Sequence, residues 1–193
     1  MDAFSVFIVK KFKMKKYDKL HLGCGNKILT NFTNIDIRPI EGVDLVEDIR
    51  KLSQIKNDSV ELIYVCHVLE HFGRHEHLEV LKRWYEILKK DGILRISVPN
   101  FEKIVDYYNK TKDLKTLIGF LYGGQNYEQN YHYCTWDFNS ISDDLKSIGF
   151  KRVYEYDWRN TEHSNIDDFS QAYLPHMDKE NGTLMSLNIE AIK

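Results

Sequence analysis

Two glycines flank a cysteine at Gly23-Cys24-Gly25, directly after the alternating run Lys19-Leu20-His21-Leu22, and a carboxylate follows at Asp36. Glycine lets a backbone turn sharply and approach a ligand that a β-carbon would hold away. A carboxylate at the end of the next strand can accept hydrogen bonds from both hydroxyls of a ribose. Farther on, Asp48-Ile49 offers a polar acceptor for an adenine amine and an aliphatic side chain for its face. Each feature is common alone, since glycines end many strands and aspartates start many turns. Their order after successive strands describes an adenosine site built from Gly23, Cys24, Gly25, Asp36, Ile37, Asp48 and Ile49. A dinucleotide fingerprint needs a third glycine where Ile28 stands, and its ribose acid comes ~20 residues after the glycines, much later than Asp36. No phosphate loop of the form GxxxxGK[ST] occurs.

Proton-handling candidates form a second group. His67, Glu70 and His71 follow the run Val60–Val65, and the two histidines share one face if a helix begins at His67. Lacking a third ligand and the HExxH pattern, they give no metal site, and none is expected. Histidine titrates near neutrality, which makes His71 the first candidate base and His132 the second; His67 is expected to line the cofactor. The alternative for Glu70 and His71 is a local role, satisfying a helix start and a neighbouring loop. His132 lies in a stretch from Gly119 to Trp136 dense in aromatic and amide side chains, including Tyr131. Such side chains suit sugars, and they equally suit an amphipathic lid. The long connection from Asp157 to Gly182 supplies Gln171, Tyr173 and His176 as candidate substrate contacts.

The elements that must hold these residues read as alternating strands and helices. Lys19–Leu22, Thr33–Ile37, Val43–Val46, Val60–Val65, Ile93–Val98, Val153–Tyr156 and Leu184–Ala191 have strand character. Leu78, Leu81, Trp84, Tyr85 and Leu88 recur at helical spacing, with Asp91-Gly92 as the expected stop. Further helices are expected over Phe101–Tyr108 and Ser140–Ile148, the latter capped by Gly149. This alternation predicts a mostly parallel sheet covered by helices on both faces, with ligands beyond the carboxyl ends of the strands.

A chain of 193 residues with 42% hydrophobic and 29% charged residues fits one globular α/β domain and excludes a disordered or membrane-embedded class. No apolar run approaches the ~20 residues of a membrane-spanning helix, and the N-terminus lacks the order of a secretory signal, so a cytoplasmic location is expected. Three scattered cysteines suggest neither disulfides nor zinc. The formal net charge of -2 gives no reason to expect nucleic acid as a partner. The exception is the basic segment 1–18, whose Lys10, Lys11, Lys13, Lys15 and Lys16 form either a solvated leader or a contact for an anionic membrane surface.

The segments LHLGCGNKILTNFTNIDI, DLVEDI, VCHVLEHF, LRISVPN and GTLMSLNIEAIK resemble the Rossmann-like (class I) S-adenosylmethionine (SAM)-dependent methyltransferases, particularly small ones encoded among polysaccharide-biosynthesis genes. The resemblance covers about Leu20 to the C-terminus. It implies a single Rossmann-like domain over 19–193, a seven-stranded sheet whose antiparallel last strand inserts beside the fifth, and SAM as cofactor. Lid-like insertions are expected at about 111–136 and 157–182. Two departures stand out: His21 occupies a position where many relatives carry an acid, and the crossover from Gly25 to Asn34 is short for a helix between parallel strands. A turn is expected there, with the amides of Cys24 to Lys27 facing the cofactor.

The resemblance implies methyl transfer to a hydroxyl or amine of a small molecule, with a sugar or glycan precursor as the expected acceptor. A second reading, prompted by the two departures, is a non-catalytic SAM- or glycan-binding partner in a biosynthetic complex. A third, a nucleic-acid methyltransferase recruited by the N-terminal lysines, predicts affinity that falls steeply with salt.

Overall fold

The computed structural model describes residues 17–193; the lysines at 10 to 16 lie outside the described residues. The chain runs β1 (Lys19–Leu22), β2 (Thr33–Asp36), β3 (Leu45–Val46), β4 (Val60–Cys66), α1 (His77–Ile87), β5 (Leu88–Pro99), α2 (Phe101–Thr111) and α3 (Leu114–Tyr122). It continues through α4 (Phe138–Ile148), β6 (Arg152–Glu155), β7 (Tyr173–Leu174), β8 (Thr183–Leu184) and β9 (Ser186–Ile192). Seven strands form one sheet in the order β3-β2-β1-β4-β5-β9-β6, while β7 and β8 pair separately. The first five strands are parallel, and β9 lies antiparallel between β5 and β6. This is the sheet that the resemblance implies, with its reversed last strand beside the fifth.

The two faces of the sheet follow from the alternation of side chains along a strand. Ile63 and Val65 of β4 join Leu20, Leu22, Leu81, Trp84, Ile141 and Leu145 in the main core, beneath α1 and α4. The α1 stripe recognised at helical spacing is what Trp84 anchors; its ring is fully buried and its Nε1 donates to the Ile49 carbonyl at 3.0 Å. Leu62 and Tyr64 face the other way, onto Leu29 and Phe32 from the β1–β2 connection and Ile166 from the long connection after β6. No helix separates β1 from β2. Asn34 closes that crossover instead, accepting from the Leu29 amide at 2.9 Å and donating to the Leu29 carbonyl at 3.1 Å.

The helices depart from the sequence reading: α3 was not expected, α2 and α4 run two to three residues longer, and two differences bear on the site. α1 ends at Ile87, and Asp91-Gly92 sits within β5. Val60 pairs with Leu88 and Leu62 with Ile93, so residues 89–92 bulge from the ladder, and Asp91 at φ 62° takes the left-handed position. A helix stop and a strand bulge call for the same backbone conformation, which is why composition did not separate them. Nor does a helix begin at His67: after β4 the chain makes only a short 3-10 turn over Leu69–His71, and α1 starts at His77.

Candidate active site

The loops after β1 and β4 meet over the carboxyl edge of the sheet, where they wall a cavity of about 950 Å³. Ligand sites span roughly 300–1,000 Å³. Gly23 and Gly25 lie on its wall, both at positive φ. A β-carbon on Gly23 would stand 2.5 Å from Val68 Cγ2, so the glycine lets the first loop pack directly against the β4 loop. A β-carbon on Gly25 would meet only the Arg38 guanidinium, at 3.7 Å, leaving its surface open to a ligand. The loop amides are less free than expected. Cys24 N donates to Ile35 O at 3.1 Å, Gly25 N to Asp36 Oδ2 at 2.8 Å and Lys27 N to Cys24 O at 2.9 Å. The cradle therefore offers close backbone approach rather than a row of donors.

Asp36 ends β2 beside this cradle and is 4% exposed. Its Oδ1 accepts from the Arg38 amide at 2.9 Å and from Arg38 Nε at 3.1 Å, and the guanidinium lies 5.0 Å from the Tyr127 ring centre. Burial works to raise the Asp36 carboxyl, but the bonds from Arg38 and the Gly25 amide outweigh it and hold the group below its ordinary range. Oδ2 keeps acceptor capacity beyond its bond to Gly25. Arg38 was not singled out in the sequence, and Tyr127 only as part of the aromatic stretch, although an arginine two residues after the acid is placed to reach back to it. Asp48 is held by Arg50, whose NH2 lies 2.7 Å from Oδ2, while Ile37 is exposed. Ile49 departs from expectation: its side chain belongs to the main core, so it presents no aliphatic face to an adenine.

The β4 loop carries the polar centre of the cavity. His67 follows β4 at φ 51° and turns its ring back toward the sheet. Ser186 Oγ spends its proton on the Phe169 carbonyl and so accepts from His67 Nε2 at 2.8 Å, which leaves the His67 Nδ1 lone pair facing Glu70 Oε1 at 3.3 Å. His71 and His132 were not linked by sequence, yet their ring centres are 4.9 Å apart. Backbone bonds hold them together: Tyr133 N donates to Glu70 O at 2.8 Å and His132 N to Tyr122 O at 3.1 Å. Each ring also donates its Nδ1 proton to a carbonyl, His71 to Tyr131 at 3.0 Å and His132 to Phe120 at 2.9 Å. Both Nε2 atoms thus carry lone pairs. Burial lowers His71 and drives His132 down to about 4 and His67 to about 3, so all three are neutral near pH 7.

Glu70 is fully buried within this group, and neither carboxylate oxygen has a hydrogen-bond partner among the described residues. Burial alone pushes its carboxyl up to about 8. The alternative local role, in which its side chain satisfies a helix start, is therefore not what the structure holds.

The expected substrate contacts divide. Tyr173 and His176 line the cavity, with the Tyr173 hydroxyl receiving Arg159 NH2 at 3.1 Å. Gln171 does not reach it. This side chain is 2% exposed and staples its own loop, donating to Ser164 O and Ile166 O and accepting from Lys179 Nζ. Tyr131 also stays off the wall, stacked on Tyr133, and contributes its carbonyl to His71.

Comparison with known proteins agrees with this layout. Residues 20–96 match the family model described as a methyltransferase domain. The fold is that of the SAM-dependent methyltransferases. A SAM-dependent methyltransferase from Archaeoglobus fulgidus superposes with a TM-score of 0.56 at 16% identity, over 91% of this chain and 86% of that one. A Burkholderia thailandensis 1,6-didemethyltoxoflavin-N1-methyltransferase with bound 1,6-didemethyltoxoflavin and S-adenosylhomocysteine gives 0.57 at 12% identity, over 91% and 70%. An S-adenosylmethionine-dependent methyltransferase from Mesorhizobium loti gives 0.51 at 15% identity, over 92% and 91%. No curated protein matches the sequence. The domain match supports a methyltransferase, and the shared fold is one that SAM-dependent enzymes use.

Proposed function

We propose that this chain transfers a methyl group from SAM to a hydroxyl of a small molecule, a sugar or glycan precursor, within the cavity over β1 and β4. The observation that carries the proposal is that the glycine cradle, with Asp36 bonded to its Gly25 amide, and His71 and His132 border one cavity. SAM supplies an electrophilic methyl on a sulfonium. Gly23, Cys24 and Gly25 give the cofactor close backbone approach, and the spare acceptor capacity of Asp36 Oδ2 suits a ribose hydroxyl. The cradle fits the cofactor, with Arg38 and Tyr127 forming the cover at its adenosine end. His67 stands on the wall between cradle and polar centre.

An acceptor hydroxyl must be aligned with the methyl and relieved of its proton. His71 and His132 hold free Nε2 lone pairs at the cavity and are the groups on which that step depends. Tyr173 and His176, from the connection 157–182, add hydrogen-bonding groups for a polyhydroxylated acceptor, and the segment 111–136 closes the opposite side as a lid. An amine acceptor is the second reading, since it too must lose a proton.

A competition experiment tests the assignment. SAM and S-adenosylhomocysteine are expected to displace one another, whereas NADH and ATP do not compete; displacement by either nucleotide would refute the cofactor assignment. Tritium from methyl-labelled SAM should then appear in sugars or sugar nucleotides of an acceptor panel. Label in amines alone selects the second reading, and cofactor binding without transfer points to the non-catalytic partner.

A further inference from the structure

Glu70, His71 and His132 offer one donor atom each, all within 4.8 Å of one another; His71 and His132 line the cavity and Glu70 lies buried behind them. We propose that these three side chains hold a divalent transition-metal ion, of the class that accepts mixed imidazole and carboxylate ligands, such as zinc or manganese. Three features of the cluster point to an ion rather than to a structural role. Both imidazoles have their Nδ1 protons committed to backbone carbonyls, which fixes the tautomer and aims each Nε2 lone pair away from its anchor. Metal-bound histidines are oriented in this way by such outer partners. The Glu70 carboxyl is fully buried and neither oxygen has a hydrogen-bond partner among the described residues, so its ionised form calls for a cation beside it. The third neighbour of that carboxyl, His67, turns a lone pair toward it rather than a proton.

The spacing suits an ion after a small closure. His132 Nε2 lies 4.0 Å from Glu70 Oε1, and two ligands at ~2.0–2.1 Å from a shared tetrahedral ion stand roughly 3.3 Å apart. His71 and Glu70 belong to one short turn, so the closure falls to His132 on the segment pinned above it. Two imidazoles and one carboxylate leave coordination positions open to a ligand from the cavity. Spacing alone did not reveal the group because His132 reaches Glu70 and His71 from a distant segment.

This inference rests on the methyltransferase reading for its chemical role. An ion at this place would bind an acceptor oxygen and acidify its hydroxyl. The hydroxyl proton passes to solvent, the oxygen lone pair forms the bond to the methyl carbon, and the carbon–sulfur bond breaks with its electron pair on sulfur, giving the methyl ether and S-adenosylhomocysteine. An acceptor presenting a second oxygen beside the reacting hydroxyl, as vicinal sugar hydroxyls do, could chelate the ion.

Calorimetry with ZnCl2 and MnCl2 on the chelator-treated full chain, with Mn²⁺ also followed by electron paramagnetic resonance, tests the site. One ion per chain is expected, with affinity falling at least about 100-fold in Glu70→Gln and in His132→Ala and unchanged in His75→Ala, which removes an exposed histidine elsewhere. S-adenosylhomocysteine binding by the same variants reports that they are folded. Absence of binding to wild type, or equal affinity in His132→Ala, overturns the site and leaves His71 or His132 as a metal-free base. Metal binding without cofactor binding instead removes the methyltransferase reading while the ion site stands.

Discussion

Two buried polar clusters occupy this molecule, and they differ in whether the protein satisfies them. On the sheet face covered by the long connection after β6, Arg95 donates to Glu190 at 2.8 Å, to Glu162 at 2.7 Å and to His163 Nε2 at 3.1 Å, and Tyr154 donates to Glu190 at 2.7 Å. His21, at the position of the missing family acid, is paired with Asn34 at 3.2 Å and stacks near Tyr64. Beside the cavity, by contrast, Glu70 has no hydrogen-bond partner among the described residues and two histidines keep Nε2 lone pairs. A completed network is accounted for by the fold that it holds together. An incomplete one at the wall of a cavity calls for something from outside.

The largest effect that could break this contrast is at Arg95. Arg95→Ala strands a buried carboxylate at Glu190 and should cost about 3–5 kcal/mol of stability in chemical denaturation, while the folded fraction keeps its affinity for S-adenosylhomocysteine. A milder loss would mean that the first cluster is no more complete than the second.

Acid loads the scaffold cluster through its histidines, as it does the cavity cluster through His67 and His132. Burial lowers both His21 and His163 to about 4, with Arg95 adding to the effect at His163. Each is neutral when folded and takes up a proton near 6.5 when unfolded. Their contribution to stability is therefore fully present above about 6.5 and is lost as pH falls toward 4. Thermal unfolding between pH 7 and 4 should show this decline, and His163→Gln, with no charge to acquire, should decline less steeply.

The smallest effect is expected at Glu70. Glu70→Gln removes an unpaired buried carboxyl and gives His67 Nδ1 a donor, so the metal-free variant should be as stable as wild type or up to about 1 kcal/mol more stable by denaturant titration. A substantial loss would show that the carboxylate has a structural role after all.

What the sequence made legible follows the range of the interactions. β1 matches its expected limits, and β4 extends the expected Val60–Val65 by one residue, because alternation along a strand is a local property. The reversed β9 came from the closing segment of the family resemblance, not from any periodicity. Asp91-Gly92 misled because the left-handed position serves a bulge as readily as a helix end. Ile49 and Gln171 misled for a different reason: Ile49 packs into the core and Gln171 into its own loop while Tyr173 reaches the cavity, and only tertiary packing decides which side chain turns inward. At the polar centre, sequence supplied His71 and His132 separately, with Glu70 as a local residue. The backbone bonds that carry the segment after α3 onto the β4 loop join them, and those pairings have no signature in spacing.

Asp36 is the proposed anchor of the cofactor. Calorimetry of S-adenosylhomocysteine binding to wild type and to Asp36→Ala tests it directly. Loss of hydrogen bonds to a charged acceptor predicts an affinity drop of about 10- to 100-fold with the fold retained; equal affinity in the two proteins, or no binding to wild type, would contradict it.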